Sequence, residues 1–429
     1  MGFYNYSQFV SESAINQFLF EGGSFGHMAH PYDDVNLTFS EIKDLISDAL
    51  QGGLNKEVVT TEKLDGQAIA VSWKDGRLIA SRNKGDRKNF GAAGLTIQDV
   101  ITKFEGRGDL ADAFTFAMQD LESAISKINP KEREKIFGEG KRFMHLELIY
   151  PKTSNVINYD TPKLIFHNTT EYDEAGNAVG EDKSNASTLT KLIKDVNADV
   201  QKNFQIDPPK AVEFSKNINY ESDRASFYTE LSKIQKSTGL KDNQSIKDYI
   251  RKQYAETIEG MASKYGYDLA PNILEGLINR FAFQDKSFRI PDIKKAITNK
   301  DFLKWTLDFA KEKNVANYYK QIISPFENLF LRLGVRLIQL ATGFLALNPD
   351  KVVKDIKTEL ESGIKNLRSS GSEAAKAKLE AQLKKLQAIG GFDAVLPSEG
   401  IVFQHKGKTY KLTGAFAPVN QILGILRYG

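Results

Sequence analysis

Cysteine is absent from the 429-residue sequence, which excludes disulfide frameworks, thiolate nucleophiles and cysteine-ligated zinc or iron–sulfur centres. The same absence suits a reducing compartment. An excess of charge of either sign is also missing: 58 basic residues face 55 acidic ones, a net charge of +3. Attraction to nucleic acid must therefore come from a local patch and not from the whole surface. No long uninterrupted apolar run occurs. The most apolar stretch, Phe326 to Leu347, is broken by Glu327, Arg332, Arg336 and Gln339, and it predicts a buried helix with no membrane partner. A myristoylation signal is lacking too, since Tyr6 stands where Ser or Thr is required. No internal repeat is visible. Composition is that of an ordinary globular chain, long enough for two to three domains.

Four textures follow one another. Met1 to Glu21 is aromatic and polar and ends at Gly22-Gly23; Phe9, Ile15, Phe18 and Leu19 fit a short amphipathic helix. Residues 22–60 read as an acidic helical segment, with Thr38 and Glu41 at capping-box spacing before Ile42, Leu45, Ile46 and Leu50. Residues 61–184 are strand-rich. Ala68 to Trp73 and Leu78 to Ser81 flank Asp75-Gly76, a hairpin signal. Met144 to Ile149 and Lys163 to Asn168 also predict strands, and Asp109 to Ile128 a helix stopped at Asn129-Pro130. Residues 185–390 are expected to be helical throughout, for example over 249–265, 301–319 and 374–389. Strands return over 391–429, around the turn Lys406-Gly407-Lys408. A strand-rich region split by some 200 helical positions predicts an α+β core carrying a large helical insertion.

The segment that carries chemistry is Glu62-Lys63-Leu64-Asp65-Gly66. By itself, a lysine before a turn is an ordinary solvated side chain. Further pieces follow in order: Ser81-Arg82-Asn83-Lys84-Gly85, Leu146-Glu147-Leu148, Leu164-Ile165-Phe166, Glu399-Gly400-Ile401-Val402-Phe403 and Tyr410-Lys411-Leu412. The ordered set resembles the covalent nucleotidyltransferase superfamily, which comprises ATP-dependent DNA and RNA ligases and mRNA capping enzymes. The resemblance covers about residues 60–166 and 397–412 and leaves out the helical region. It implies an antiparallel-sheet adenylyltransferase core. The oligonucleotide-binding barrel of DNA ligases is not expected after Leu412, which turns the expectation towards an RNA-ligase-like polynucleotide ligase.

On that resemblance Lys63 is the nucleophile that forms lysyl-AMP. Asp65 belongs to its motif, and Glu62 and Gly66 lie at the nucleotide. Glu147 holds the ribose or a metal and Glu399 a metal, Phe166 stacks on adenine, and Lys411 contacts the α-phosphate. Arg82 contacts the nucleotide or, with Ser81 and Asn83, a strand end. ATP and Mg²⁺ (or Mn²⁺) are the implied cofactors, and broken or nicked nucleic acid the implied partner. A lysine amine attacks phosphorus only when neutral, so its pKa must fall from about 10.4; burial and nearby cations do this. Each residue also has a plain structural reading. Glu147 alternates with leucines as a solvent-facing strand residue would, Phe166 is by default a core aromatic, and Arg82, Lys84 and Lys411 are ordinary surface charges. Two positions depart from the family: Ala68 where many ligases have Arg, and Thr413 where a second lysine is common. They leave open a capping-type enzyme, or a catalytically degenerate head protein that binds nucleic acid.

The helical region is rich in lysines, with Tyr249, Tyr254, Tyr318 and Tyr319 among them, and suits either phosphate binding or a solvated bundle. Leu19-Phe20-Glu21 resembles the cleavage pattern of tailed-phage prohead proteases, and the leader resembles capsid-targeting propeptides. This implies a phage protein of the infected host cytoplasm, packaged in the virion after trimming at Glu21; an ordinary N-terminal helix is the alternative. His27, His30, Asp33 and Asp34 suggest a metal cluster at first sight, but the surrounding small residues favour a backbone-capping loop.

Overall fold

The computed structural model describes residues 29–56, 58–153, 156–196, 203–346 and 348–428. The leader, its boundary at Glu21 and His27 lie outside these residues. In chain order the elements are α1 (Phe39–Leu50), β1 (Thr61–Lys63), β2 (Gln67–Lys74), β3 (Arg77–Ser81), α2 (Lys84–Gly91), α3 (Ile97–Phe104), α4 (Asp109–Ser126), α5 (Pro130–Phe137), β4 (Arg142–Ile149), β5 (Lys163–Tyr172), β6 (Ala178–Asp182), α6 (Ser184–Val196), β7 (Gln205–Asp207) and β8 (Glu213–Phe214). They continue with α7 (Tyr220–Thr238), α8 (Ile246–Lys264), α9 (Pro271–Phe283), α10 (Ile290–Ala296), α11 (Lys300–Phe309), α12 (Glu312–Leu340), β9 (Ala341–Thr342), α13 (Pro349–Ser370), α14 (Glu373–Ala388), β10 (Gly400–His405), β11 (Lys408–Thr413) and α15 (Phe416–Tyr428).

The fold is mixed α+β, and its sheets are antiparallel apart from the β5–β7 pair. One sheet runs β3-β2-β4-β5-β6 with β7 beside β5, and a second, three-stranded sheet runs β1-β10-β11. The hairpin expected at Asp75-Gly76 is present, with Lys74 opposite Arg77. The second hairpin sets His405 opposite Lys408. Thr38 caps α1 and receives Glu41 in return, as the capping-box spacing predicts.

Three large buried clusters hold the described residues together, beside a small one of Ala70, Ile79, Phe143 and Tyr172. Apolar alternation in β2, β4 and β5 sends Ile69, Val71, Leu146, Leu148, Leu164 and Phe166 to one face, where α3 to α6 cover them. A second cluster joins α1 and α7 to α12 with Ile401, Phe403, Tyr410 and Leu412 of the three-stranded sheet. The third links α13 to α15 and the other side of α12 to Leu64, Ile149 and Ile165. The three-stranded sheet therefore rests one face on the first helical layer, and Leu64, just after β1, packs on the other.

The structure corrects several expectations. Residues 185–390 are not wholly helical: β7 extends the larger sheet, and β8 pairs β9. Such two- and three-residue strands are too short to leave a periodic signature. The helix expected over 301–319 is two helices, parted where Lys311 is extended with ψ 133°; the apolar stripe runs on across the break and hides it. The chain after β11 returns to helix in α15. Within the 22–60 segment, α1 packs into the helical region, with Phe39 5.9 Å from the Phe326 ring and Ser47 Oγ 2.6 Å from Tyr228 OH.

Candidate functional site

The second sheet places both motif lysines. Lys63 at the end of β1 lies opposite Gly400, and Val402 lies opposite Lys411. Because side chains alternate, Ile401, Phe403, Tyr410 and Leu412 enter the helical core, while Lys63 and Lys411 turn to the other face. There the Lys63 ammonium forms an ion pair with Glu399, their side chains 25% and 12% accessible. Burial lowers the Lys411 pKa, and the like charge of Lys63 lowers it further, against the pull of Glu399 and Asp33.

The turn Leu64-Asp65-Gly66 leads from this sheet into the larger one. Gly66 N–H donates to Glu147 Oε1 at 3.0 Å. A Cβ on Gly66 would come within 2.7 Å of Glu147 Cγ, so only glycine allows so close a turn. Burial pushes the Glu147 carboxyl up to about 8, aided by the Glu399 and Asp65 charges and opposed by Lys63 and the Gly66 N–H. Glu399 is also raised, by burial first and by Asp65, against the pull of Lys63 and Lys411. Four chain segments thus bring Lys63, Glu147, Glu399 and Lys411 into one electrostatic group.

Other expected site residues are placed differently. Asp65 is buried, and its Oδ2 accepts the backbone N–H groups of Val156 and Ile157 at 2.7 and 2.9 Å, which fixes the turn. Glu62 points from the opposite side of β1 into the interior, where Leu345 N–H donates to its Oε2 at 2.6 Å. It therefore lies on the side of β1 away from Lys63. Phe166 is fully buried in the core beneath the sheet, so it is not available to stack on adenine. Ser81 is buried and donates to the Asn83 carbonyl at 3.1 Å, and Asn83 caps α2. The Arg82 guanidinium lies over Phe104 and Phe114 on the core-side helices, away from the lysine group.

Three residues join the group that the motif comparison missed. Alternation along β5, where Ile165 lies opposite Glu147, turns His167 to the site side, 3.9 Å from Glu147 Oε2 and 34% accessible. Burial and the Lys63 charge lower its pKa to about 4, so the ring is neutral at pH 7. His30 and Asp33 arrive because the chain at Ala29 lies along β11, its carbonyl accepting Lys411 N–H at 2.9 Å. Burial, with Lys411 and Lys63 nearby, drops His30 to about 3. Burial raises Asp33 to about 6, against its bond from His30 N–H. The backbone-capping reading of this loop holds: Asp33 accepts His30 N–H and Asp34 accepts Asn36 N–H. A cavity of about 460 Å³, lined by Arg280, Phe281, Lys286, Val315 and Tyr319 among others, lies in the helical region and not at the lysine group.

Among the described residues no three His, Asp or Glu side chains converge as a ready-made metal cage. Mg²⁺ bound with a nucleotide commonly takes only one or two carboxylates, the phosphates and water supplying the rest. Glu147 and Glu399 fit that donor set: both carboxyls are raised, by burial first, and the Glu399 charge adds to the shift of Glu147. No helix among the described residues is long and apolar enough to cross a membrane. Comparison with protein-family models, curated proteins and solved structures yields no match.

Proposed function

We propose that this chain is a covalent nucleotidyltransferase, an ATP-dependent polynucleotide ligase of the RNA-ligase type. The observation that carries the reading is the meeting of Lys63, Glu147, Glu399 and Lys411 from distant segments at the junction of two sheets. Glu399, in contact with Lys63 and raised towards neutrality, accepts a proton from the ammonium. The freed Nζ attacks the α-phosphorus of ATP; an N–P bond forms, and the bond to the bridging oxygen breaks as pyrophosphate leaves with the electron pair. Lys411 faces the developing charge on the α-phosphate. A 5′-phosphate oxygen then attacks the same phosphorus and releases Lys63, and a 3′-hydroxyl displaces AMP to join the ends. Glu147 would hold a divalent cation, joined by Glu399 only before it takes the Lys63 proton, and the cation when bound would supply charge neutralisation. The neutral ring of His167, in place of Phe166, is the aromatic face presented to a base.

Incubation with radiolabelled ATP or GTP and Mg²⁺ tests the reading. The expected result is a covalent label from ATP, lost in Lys63→Ala and reduced at least a hundredfold in Lys411→Ala, with sealing of nicked substrates. A panel of nicked and single-stranded RNA and DNA then ranks the substrates. A GTP label without sealing would make it a capping-type enzyme. Absence of any label sinks the transferase reading and favours the degenerate binding protein, towards which Ala68 beside Glu147 and the buried Thr413 point.

A further inference from the structure

Outside the span of the motif resemblance, the chain before α1 crosses the outer edge of the three-stranded sheet. The backbone N–H and C=O of one strand residue point to the same side. Those of Lys411 turn away from β10, because its N–H donates to the Ala29 carbonyl at 2.9 Å, with Ala29 lying parallel beside Tyr410. A ring N–H of His30 donates to the Lys411 carbonyl. Two adjacent residues thus hold both backbone polar groups of Lys411, which is half-buried. The segment is itself pinned. The His30 ring stacks on Tyr32 with 4.8 Å between centroids and 10° between planes, and the Tyr32 ring lies 6.3 Å from that of Phe330 in α12. Asp33 accepts the His30 backbone N–H at 2.7 Å; Asp34 accepts Lys408 Nζ at 2.5 Å and Tyr410 OH at 2.8 Å. The residue type matters as well. A lysine or arginine could donate to the Lys411 carbonyl only by adding a third cation beside Lys63 and Lys411, whereas the neutral imidazole donates without charge.

We infer that His30 is a positioning residue for Lys411: together with Ala29 it clamps the backbone of β11 from its outer edge and sets where the Lys411 ammonium stands relative to Lys63. The charged groups facing that ammonium come from three places, Lys63 on β1, Glu399 before β10 and Asp33 on the same segment as His30. A small shift of β11 would therefore change all three interactions together. A cation that neutralises charge as phosphorus is attacked acts mainly on the transition state, and misplacing it slows the step more than it weakens nucleotide binding. The effect on adenylyl transfer rests on the transferase reading above; the clamp itself does not.

The test pairs two measurements on full-length protein: single-turnover labelling with radiolabelled ATP and Mg²⁺, and hydrogen–deuterium exchange of the peptide spanning β11. His30→Ala and His30→Phe should each lower the maximal labelling rate about tenfold, with half-saturating ATP unchanged to within about twofold. Both should speed exchange at the Lys411 amide about tenfold. Phe keeps the stack on Tyr32 and lacks the N–H, so it separates the bond from the packing. Asn and Gln carry an amide N–H at the depth of one or the other ring nitrogen, and one of them should recover most of the rate. Added to Lys411→Ala, His30→Ala should slow labelling no further, because the ring acts through that lysine. A multiplied loss in the double variant would overturn the proposal. Thermal melts check folding, and His30→Phe with its Asn and Gln counterparts decides if His30→Ala melts early. If the wild type takes no label, the transferase reading fails and exchange alone decides: faster exchange in His30→Phe keeps the clamp, and unchanged exchange ends it. A labelled wild type with unaltered rate and exchange in both variants keeps the transferase and discards the clamp.

Discussion

At the scale of single residues, the charged groups around β1 are set by which side of a three-residue strand they occupy. Lys63 turns to the open face and Glu62 to the interior, where burial pushes its carboxyl up to about 7 against the bonds from Leu345 and Ser398 and the Lys210 charge. The consequence for stability follows from the sign of that shift. A carboxyl of ordinary value 4.5 when unfolded and about 7 when folded favours folding fully below 4.5, and the benefit is lost as pH rises through 7. The loss is roughly 3 kcal/mol. Glu62→Gln does not titrate, so its urea-unfolding free energy relative to wild type should climb by about that amount between pH 4.5 and 8; a flat difference would contradict it. Lys63, Gly66 and Glu147 were singled out in the sequence through the order of their motifs, which the resemblance supplied; the Leu146-Glu147-Leu148 alternation alone gave only the face of the strand. Phe166 was misplaced because its stacking role was carried over with the motif; alternation along β5, with Leu146 opposite Phe166 and Glu147 opposite Ile165, leaves Phe166 in the core and gives the site face to His167.

At the scale of elements, the long helix α12 sets the position of β11. A Cβ on Gly334 would come within 2.3 Å of the Thr413 carbonyl oxygen, so helix and strand meet backbone to backbone. Gly334→Ala should push them apart, costing about 1–3 kcal/mol in denaturant unfolding, and should reduce adenylyl labelling by displacing Lys411. A variant with unaltered stability and labelling would show that the two elements slide without consequence. Hairpins and caps were readable because their signals are local: Asp75-Gly76, Lys406-Gly407 and Thr38 with Glu41 each specify a turn or a helix start within four residues. The short pairings β5–β7 and β8–β9 were not, because their partners are chosen by tertiary packing. The final helix α15 was likewise missed beside the strand pattern that precedes it.

At the scale of the whole molecule, the helical region shares its core with both the N-terminal helix and the second sheet. Removal of residues 216–311 would strip α1 and α12 of partners such as Tyr249, whose ring meets Phe326 edge-on at 5.1 Å. Each large apolar side chain so exposed forfeits roughly 1.5–3 kcal/mol, against a typical net stability of about 5–15 kcal/mol. The truncated chain should show no cooperative melt and should bind ANS, whereas a sharp transition would establish that the helices are dispensable. The pairing of β1 with β10 has a further consequence, for biosynthesis. Lys63 and Glu399 are separated by 336 positions, and at about 5–20 residues per second that interval takes a ribosome roughly 20–70 s. Over that interval neither the counter-ion of Lys63 nor its neighbouring strand has been made, so the three-stranded sheet closes only after β10 and β11 have been synthesised.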